Sequence, residues 1–342
     1  MPSRPLLALC ALSLVAAGCG GAAHATATRV AAASPTASAG SPAPAPPARA
    51  VPVDPLTGLA PKPTGSVVVI KVDNGVLARP YQRGLGQAAI VYQELVEAGE
   101  TRFAAVFSAP ATGEVGPIRS VRETDVELLR QLGRVPVAFS GGNSGVKATF
   151  HAAVRAGLLI DASYDAFPSD YRLGEWRKDA RNFFTTPAAL VASAPGTPAR
   201  DIGLRFGALP PGAGTPVSTA SAAFSSYVTV RVRYVPETHA WAVFEDGREV
   251  TGVGPANVIV QRVQIHSSRY VDVLGNRTPY TVSVGSGPAT VLRDGRAITA
   301  TWHRPEAAKG TGFVDAKGAD VRLRPGPTWV LLLPSDSPLT LG

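Results

Sequence analysis

Cysteine is nearly missing. The 342-residue chain has two, Cys10 and Cys19, both close to the first residue. Beyond them there is neither a disulfide nor a free thiol, so the folded part must hold by its core alone. Charge is also scarce, at 17% against 45% hydrophobic residues, which excludes global disorder and provides for a sizeable core. No apolar run reaches the roughly 20 residues of a membrane-spanning helix. The five histidines (24, 151, 239, 266 and 303) are scattered without metal-ligand spacing, so no metal is expected. Neither a Walker A loop nor a dinucleotide fingerprint is present, and no cofactor is expected. Nucleic acid is not an expected partner of the +8 net charge: no helix-turn-helix, zinc-finger or RNA-binding signature is found, and no basic run is interleaved with aromatics.

What is present begins with an export signal over residues 1–19. Arg4 supplies the positive head, residues 6–17 an apolar run of signal-peptide length, and Val15-Ala16-Ala17-Gly18-Cys19 a lipobox-like end. Small side chains before Cys19 let the backbone enter a peptidase groove, after which the thiol carries lipid. Two or three acyl chains then hold firmly. Simple secretion is the alternative. Residues 20–53 are rich in Ala, Pro, Ser and Thr without apolar periodicity, a tether with an r.m.s. reach of roughly 30–35 Å. The expected location is the outer face of the cytoplasmic membrane, lipid-anchored.

The spacing predicts an N-terminal domain over 54–200, of α+β or α/β class. Residues 66–72 (SVVVIKV) read as a strand covered on both faces, ending at Asp73-Asn74-Gly75. Asp73 is either a site residue at a strand end or an Asx turn. Residues 89–98 and 101–108 read as a hairpin. With Gly99-Glu100 as its loop, Glu97 faces Arg102 and Glu94 faces Ala105. Glu94 is then either an exposed edge residue or a second site candidate.

Next comes Glu114-Val-Gly-Pro-Ile-Arg-Ser-Val-Arg-Glu-Thr-Asp125. Gly116-Pro117 is expected to force the chain out of a strand, and 125–134 reads as a helix with Val126, Leu129 and Leu132 on one side. Arg119, Ser120 and Arg122 would meet that helix N-terminus, a favourable place for an anion; a capped loop with surface ion pairs is the plainer alternative. Residues 135–140 read as a strand, 141–145 (GGNSG) as a loop that brings Asn143 and backbone N–H groups near an anion, and 146–156 as a helix. Ser144-x-x-Lys147 matches an enzyme pattern, but the Lys-Thr-Gly that should follow is lacking. Residues 161–186 look like a long aromatic loop forming a rim, with Arg181 among its cations.

Residues 201–225 are a connector, and 226–342 a mainly antiparallel β domain. Its strands are expected near 227–235, 240–244, 257–265, 288–292, 298–302, 321–323 and 329–333, with Asp246-Gly247 and Asp294-Gly295 as hairpin turns. Arg231 and Arg233 face solvent, and Trp302 and Trp329 belong to the core.

GEVGPIRSVRETDVELL (113–129) resembles the Val-Gly-Pro-Val-Arg-Ser-Ala-Arg segment of the YerB-like lipoprotein family, bacterial envelope proteins with a two-part domain of unknown function. The resemblance extends through DPLTGL (54–59), KVDNGVLARP (71–80), SGGNSG (140–145), NVIVQRV (257–263) and LRPGPTWVLLLP (323–334). ARNFFTT (180–186) lacks one residue between Arg181 and Asn182, which weakens any role carried over to Arg181. The resemblance implies an anchored envelope protein and no particular reaction.

The expected role is therefore binding of an anionic envelope component, wall polymer or lipid headgroup, or of an envelope protein. Arg102, Arg119, Ser120, Arg122, Asn143 and Arg181 are the candidate contacts. One alternative is an envelope hydrolase or transferase using Asp73 and Glu94 as acid and base. Another is a scaffold that docks through the β domain.

Overall fold

The computed structural model describes residues 51–109, 111–175, 182–272 and 274–342, all within one compact unit, Ala50–Gly342. Cys19, Arg181, and the export and tether segments up to residue 50 lie outside the described residues. No helix among them is long and apolar enough to cross a membrane.

The fold is strand-dominated. Its N-terminal part is a mixed sheet with few helices, and its C-terminal part is mainly antiparallel. β1 (Val68–Asp73), β2 (Ile90–Leu95) and β3 (Thr101–Phe107) form the centre, with β3 antiparallel to both others. β1 is buried throughout, as its unbroken β-branched run requires. β4 (Val115–Ile118) pairs antiparallel with β1, whereas β5 (Pro136–Ala138) pairs with it in parallel. The segment expected as one loop holds β6 (Ile160–Asp161), β7 (Tyr171–Leu173) and β8 (Phe183–Thr185), the last beside β4.

One face of this sheet packs beneath a five-stranded antiparallel sheet, through Phe103, Val230, Trp241 and Trp329. The other packs beneath α1 (Glu123–Leu128) and α2 (Ser144–Arg155), through Leu128, Leu129, Val146 and Phe150. α3 (Pro187–Ser193) caps the first face with Leu190.

Three expectations for the N-terminal part are corrected. Gly116-Pro117 lies inside β4. Proline has no N–H to donate, and the pairing of β4 with β8 shifts register between Val115 and Ile118, so the ladder is interrupted and the strand continues. A Cβ on Gly116 would sit 2.7 Å from the Phe184 ring, so only glycine lets β8 approach. The helix expected over 125–134 is instead α1 followed by a 3₁₀ turn, Leu129–Leu132, which tightens the chain before Gly133. The β2–β3 loop is longer than Gly99-Glu100, because Glu97–Gly99 forms a 3₁₀ turn; this places Glu94 opposite Arg102 and Val91 opposite Ala105.

In the C-terminal part, the connector contains the strand Thr219–Ala223, and 321–323 contributes only a bridge at Leu323. The hairpin Ile265–Val271 with Arg277–Thr281 went unread, because its exposed polar face hides the alternation. Asp246 and Gly247 both have positive φ, 48° and 81°, as a two-residue hairpin turn requires.

The strand Thr328–Pro334 joins the two parts. It runs parallel to Asn257–Val263 on one side and to β2 on the other, and all seven residues are buried. Trp329 meets Phe103 edge-on at 5.1 Å and donates its Nε1–H to Gln93 Oε1 at 3.2 Å. Gln93 Nε2 in turn donates to Glu245 Oε1 at 2.8 Å, bridging to the five-stranded sheet.

Burial pushes Glu245 up to about 7, against the opposing influence of Arg79 and the hydrogen bonds from Gln93 and Asn74. The folded state therefore binds this proton more tightly than the unfolded chain does. The associated stability is fully present below about pH 4.5 and is lost as pH rises through 7. Glu245→Gln is expected to be more stable than wild type at pH 8, by about 2–3 kcal/mol, with the difference vanishing below pH 4.5. Thermal unfolding across that range checks the sign.

Candidate functional site

The register of the central strands sets a charged row on the helix-covered face. Asp73, Arg102 and Glu94 lie side by side across β1, β3 and β2, and Lys71 lies one pleat further in. Lys71 is fully buried, and its Nζ donates to Glu94 Oε1 at 2.5 Å and to Asp125 Oδ1 at 2.6 Å. Asp125 is saturated on both oxygens, because Oδ2 accepts the Arg122 backbone N–H at 2.6 Å at the start of α1. Among the described residues Glu94 Oε2 has no hydrogen-bond partner. Burial raises the Glu94 pKa above its ordinary value; Lys71 opposes this and Asp125 adds to it. A buried lysine shared by two carboxylates thus fixes where β4 ends and α1 begins.

That junction carries the arginines. The Arg119 N–H donates to the Lys71 carbonyl at 2.8 Å, and the Arg119 carbonyl accepts from Ser140 N at 3.1 Å. Arg119 Nε lies 3.0 Å from Asp73 Oδ2, and Arg102 Nη2 lies 3.7 Å from Asp73 Oδ1. Burial alone would raise the Asp73 pKa, but Arg102, Arg119 and the Gly75 N–H outweigh it and hold the carboxyl below its ordinary range. Asp73 also forms the expected Asx turn, accepting from Gly75 N at 3.1 Å. Arg122 Nη1 donates to Glu97 Oε1 at 2.8 Å, an oxygen that also accepts from Thr278 Oγ1. Burial and the nearby Arg102 bring Arg122 down to about 10, leaving it charged at neutral pH.

Arg102, Arg119, Ser120, Arg122 and Asn143 all line one cleft of about 670 Å³. Asp73 stands behind Arg102 and Arg119, and Glu94 behind Lys71; neither is among the lining residues. Arg102 is 2% exposed, yet among the described residues its Nε and Nη1 have no hydrogen-bond partner. Asn143 has a structural duty as well. Its Oδ1 caps α2 by accepting from Gly145 N at 2.8 Å, and its Nδ2 donates to the Val271 carbonyl. The opposite wall is the 265–281 hairpin, fastened to α1 through Ser268–Glu123 and Tyr280–Glu127 hydrogen bonds. A Cβ on Gly145 would lie 2.2 Å from the Tyr270 ring, so glycine is what admits the hairpin there.

Sequence reasoning missed Lys71, Asp125 and Glu97 as organisers, and Glu100 and Asp272 as lining residues. A signal existed for Lys71: a lone lysine inside a β-branched run must find an acid.

Lys71→Met would strand two buried carboxylates. A loss of about 3–5 kcal/mol is expected at neutral pH, shrinking as pH falls and Glu94 protonates. Urea unfolding at pH 5 and pH 8 measures it.

Comparison with known proteins finds two family models in order along the chain. The N-terminal domain of a protein of unknown function (DUF3048) matches residues 56–200, and its C-terminal domain matches 220–330. A Bacillus subtilis (strain 168) protein provisionally named lipoprotein YerB is 43% identical over 77 residues, which span 22% of this chain and 23% of that one. The crystal structure of YerB from Bacillus subtilis superposes with a TM-score of 0.70 at 21% identity, covering 84% of this chain and 99% of that one; this shows a common fold.

Proposed function

We propose, from the premise that the chain belongs to the YerB-like family carrying the DUF3048 N- and C-terminal domains, that it is an envelope lipoprotein whose cleft binds the anionic group of an envelope component. The anchor is Cys19 in its lipobox, on the outer face of the cytoplasmic membrane, and residues 20–53 hold the folded body away from the bilayer. The relative's lipoprotein name supports this reading.

One observation carries the binding function. Arg102 is a buried cation with two donor nitrogens unmatched inside the protein, at a cleft it shares with Arg119 and Arg122. An unmatched buried guanidinium donor is costly, and a carboxylate or phosphate oxygen removes that cost. Asp73 then serves as positioning residue, holding Arg102 and Arg119 toward the opening. The carboxylates expected to act as acid and base are already committed, Asp73 to arginines and Glu94 to Lys71. Binding is therefore favoured over hydrolysis.

Two experiments test this. Cys19→Ser should move the protein from the membrane fraction to the soluble fraction and abolish incorporation of labelled fatty acid. Arg102→Met, which keeps the apolar stem, should weaken co-sedimentation with purified wall polymer or anionic lipid vesicles at least tenfold at low salt, about 1.4 kcal/mol, with the Tm little changed. Equal binding by the variant would reject the site.

A further inference from the structure

Two more carboxylates, Glu100 and Asp272, line the cleft with the arginines, and among the described residues neither has an ion-pair partner. Among the described residues Asp272 accepts from its own turn, at Leu274 N, Asn276 N and Asn276 Nδ2; these hydrogen bonds, with a smaller contribution from Arg122, hold its pKa below the ordinary value. Three guanidinium groups, Arg102, Arg119 and Arg122, thus stand against four carboxylates: Asp73, Glu97, Glu100 and Asp272. A polyanion would meet unpaired acids here. A ligand with one negative and one positive end would answer both signs of charge.

The chemistry narrows further. A quaternary ammonium needs an aromatic cage, and among the described residues no aromatic side chain lines the cleft. A primary ammonium needs oxygen acceptors, which Glu100 and Asp272 supply. A phosphate monoester carries about −1.5 to −2 at neutral pH and would overload a cleft already rich in carboxylates. A carboxylate balances a single ammonium. Leu274 and Val271 on the rim are 82% and 42% exposed, an apolar edge for side chains between the two ends.

Resting on the binding function proposed above, we infer that the ligand is a short peptide-like zwitterion. Its carboxylate meets Arg102 and Arg119, and its free amine meets Glu100 and Asp272.

The test is calorimetric titration of the full chain in detergent with alanine oligomers of two to four residues. Each is used unmodified, N-acetylated and C-amidated. Unmodified oligomers should bind, and either block should weaken binding at least tenfold. Glu100→Gln should weaken the unmodified oligomer at least fivefold and leave the N-acetylated one unchanged, with the Tm of the variant confirming an intact fold. Acetylated or amidated oligomers binding as tightly as unmodified ones would overturn the inference. So would the absence of binding by every oligomer. If wall polymer or anionic vesicles still bound in an Arg102-dependent way, the zwitterion alone would fall. If they did not bind either, the binding function would fall with it.

Discussion

The buried bridge of Lys71 to Glu94 and Asp125 is the constraint on which the rest of this structure depends. A lysine without water must have compensating charge, and two carboxylates from different elements supply it. One comes from β2 and fixes the neighbour of Arg102; the other comes from α1 and closes the turn after β4. The short segment between, Arg119–Arg122, is thereby held in one path over the end of the sheet. The arginines are positioned less by their own contacts than by a charge cluster beneath them.

This arrangement separates fold from surface. Below, ionic contacts are saturated and hidden, apart from one oxygen of Glu94. Above, at the cleft, Arg102 keeps unmatched donors, and Glu100 and Asp272 keep carboxylates without cations. Natural interiors rarely leave a buried donor such as those of Arg102 open, and this is the feature on which the proposed binding rests. The hairpin of the C-terminal part completes the wall, and the cleft draws on both halves of the chain.

Much of this was legible in the residues. The strand ending at Asp73, the Gly-rich loop before α2 and the two Asp-Gly turns follow from local rules, because a buried strand, a helix cap and a type I′ turn each dictate residue types at fixed offsets. Arg119, Ser120 and Arg122 are read from one dense segment and Arg102 from the hairpin strand, and all four line the cleft. What escaped depends on register. Assigning two residues to the β2–β3 loop turned Glu94 to the wrong face, because a strand changes face with every residue. Glu97 belongs to a 3₁₀ turn that no propensity announces. The parallel pairing of Thr328–Pro334 is non-local, and its apolar run fits a strand of either direction.

That strand has a consequence for biogenesis. A chain translocated from its N-terminus delivers β1, β2 and β3 across the membrane long before their neighbour at 328–334 emerges. Until then β2 offers an open, apolar edge, the kind of template on which chains aggregate. A chain exported in this way would need to remain uncommitted, or be shielded by a chaperone, until nearly all of it had crossed.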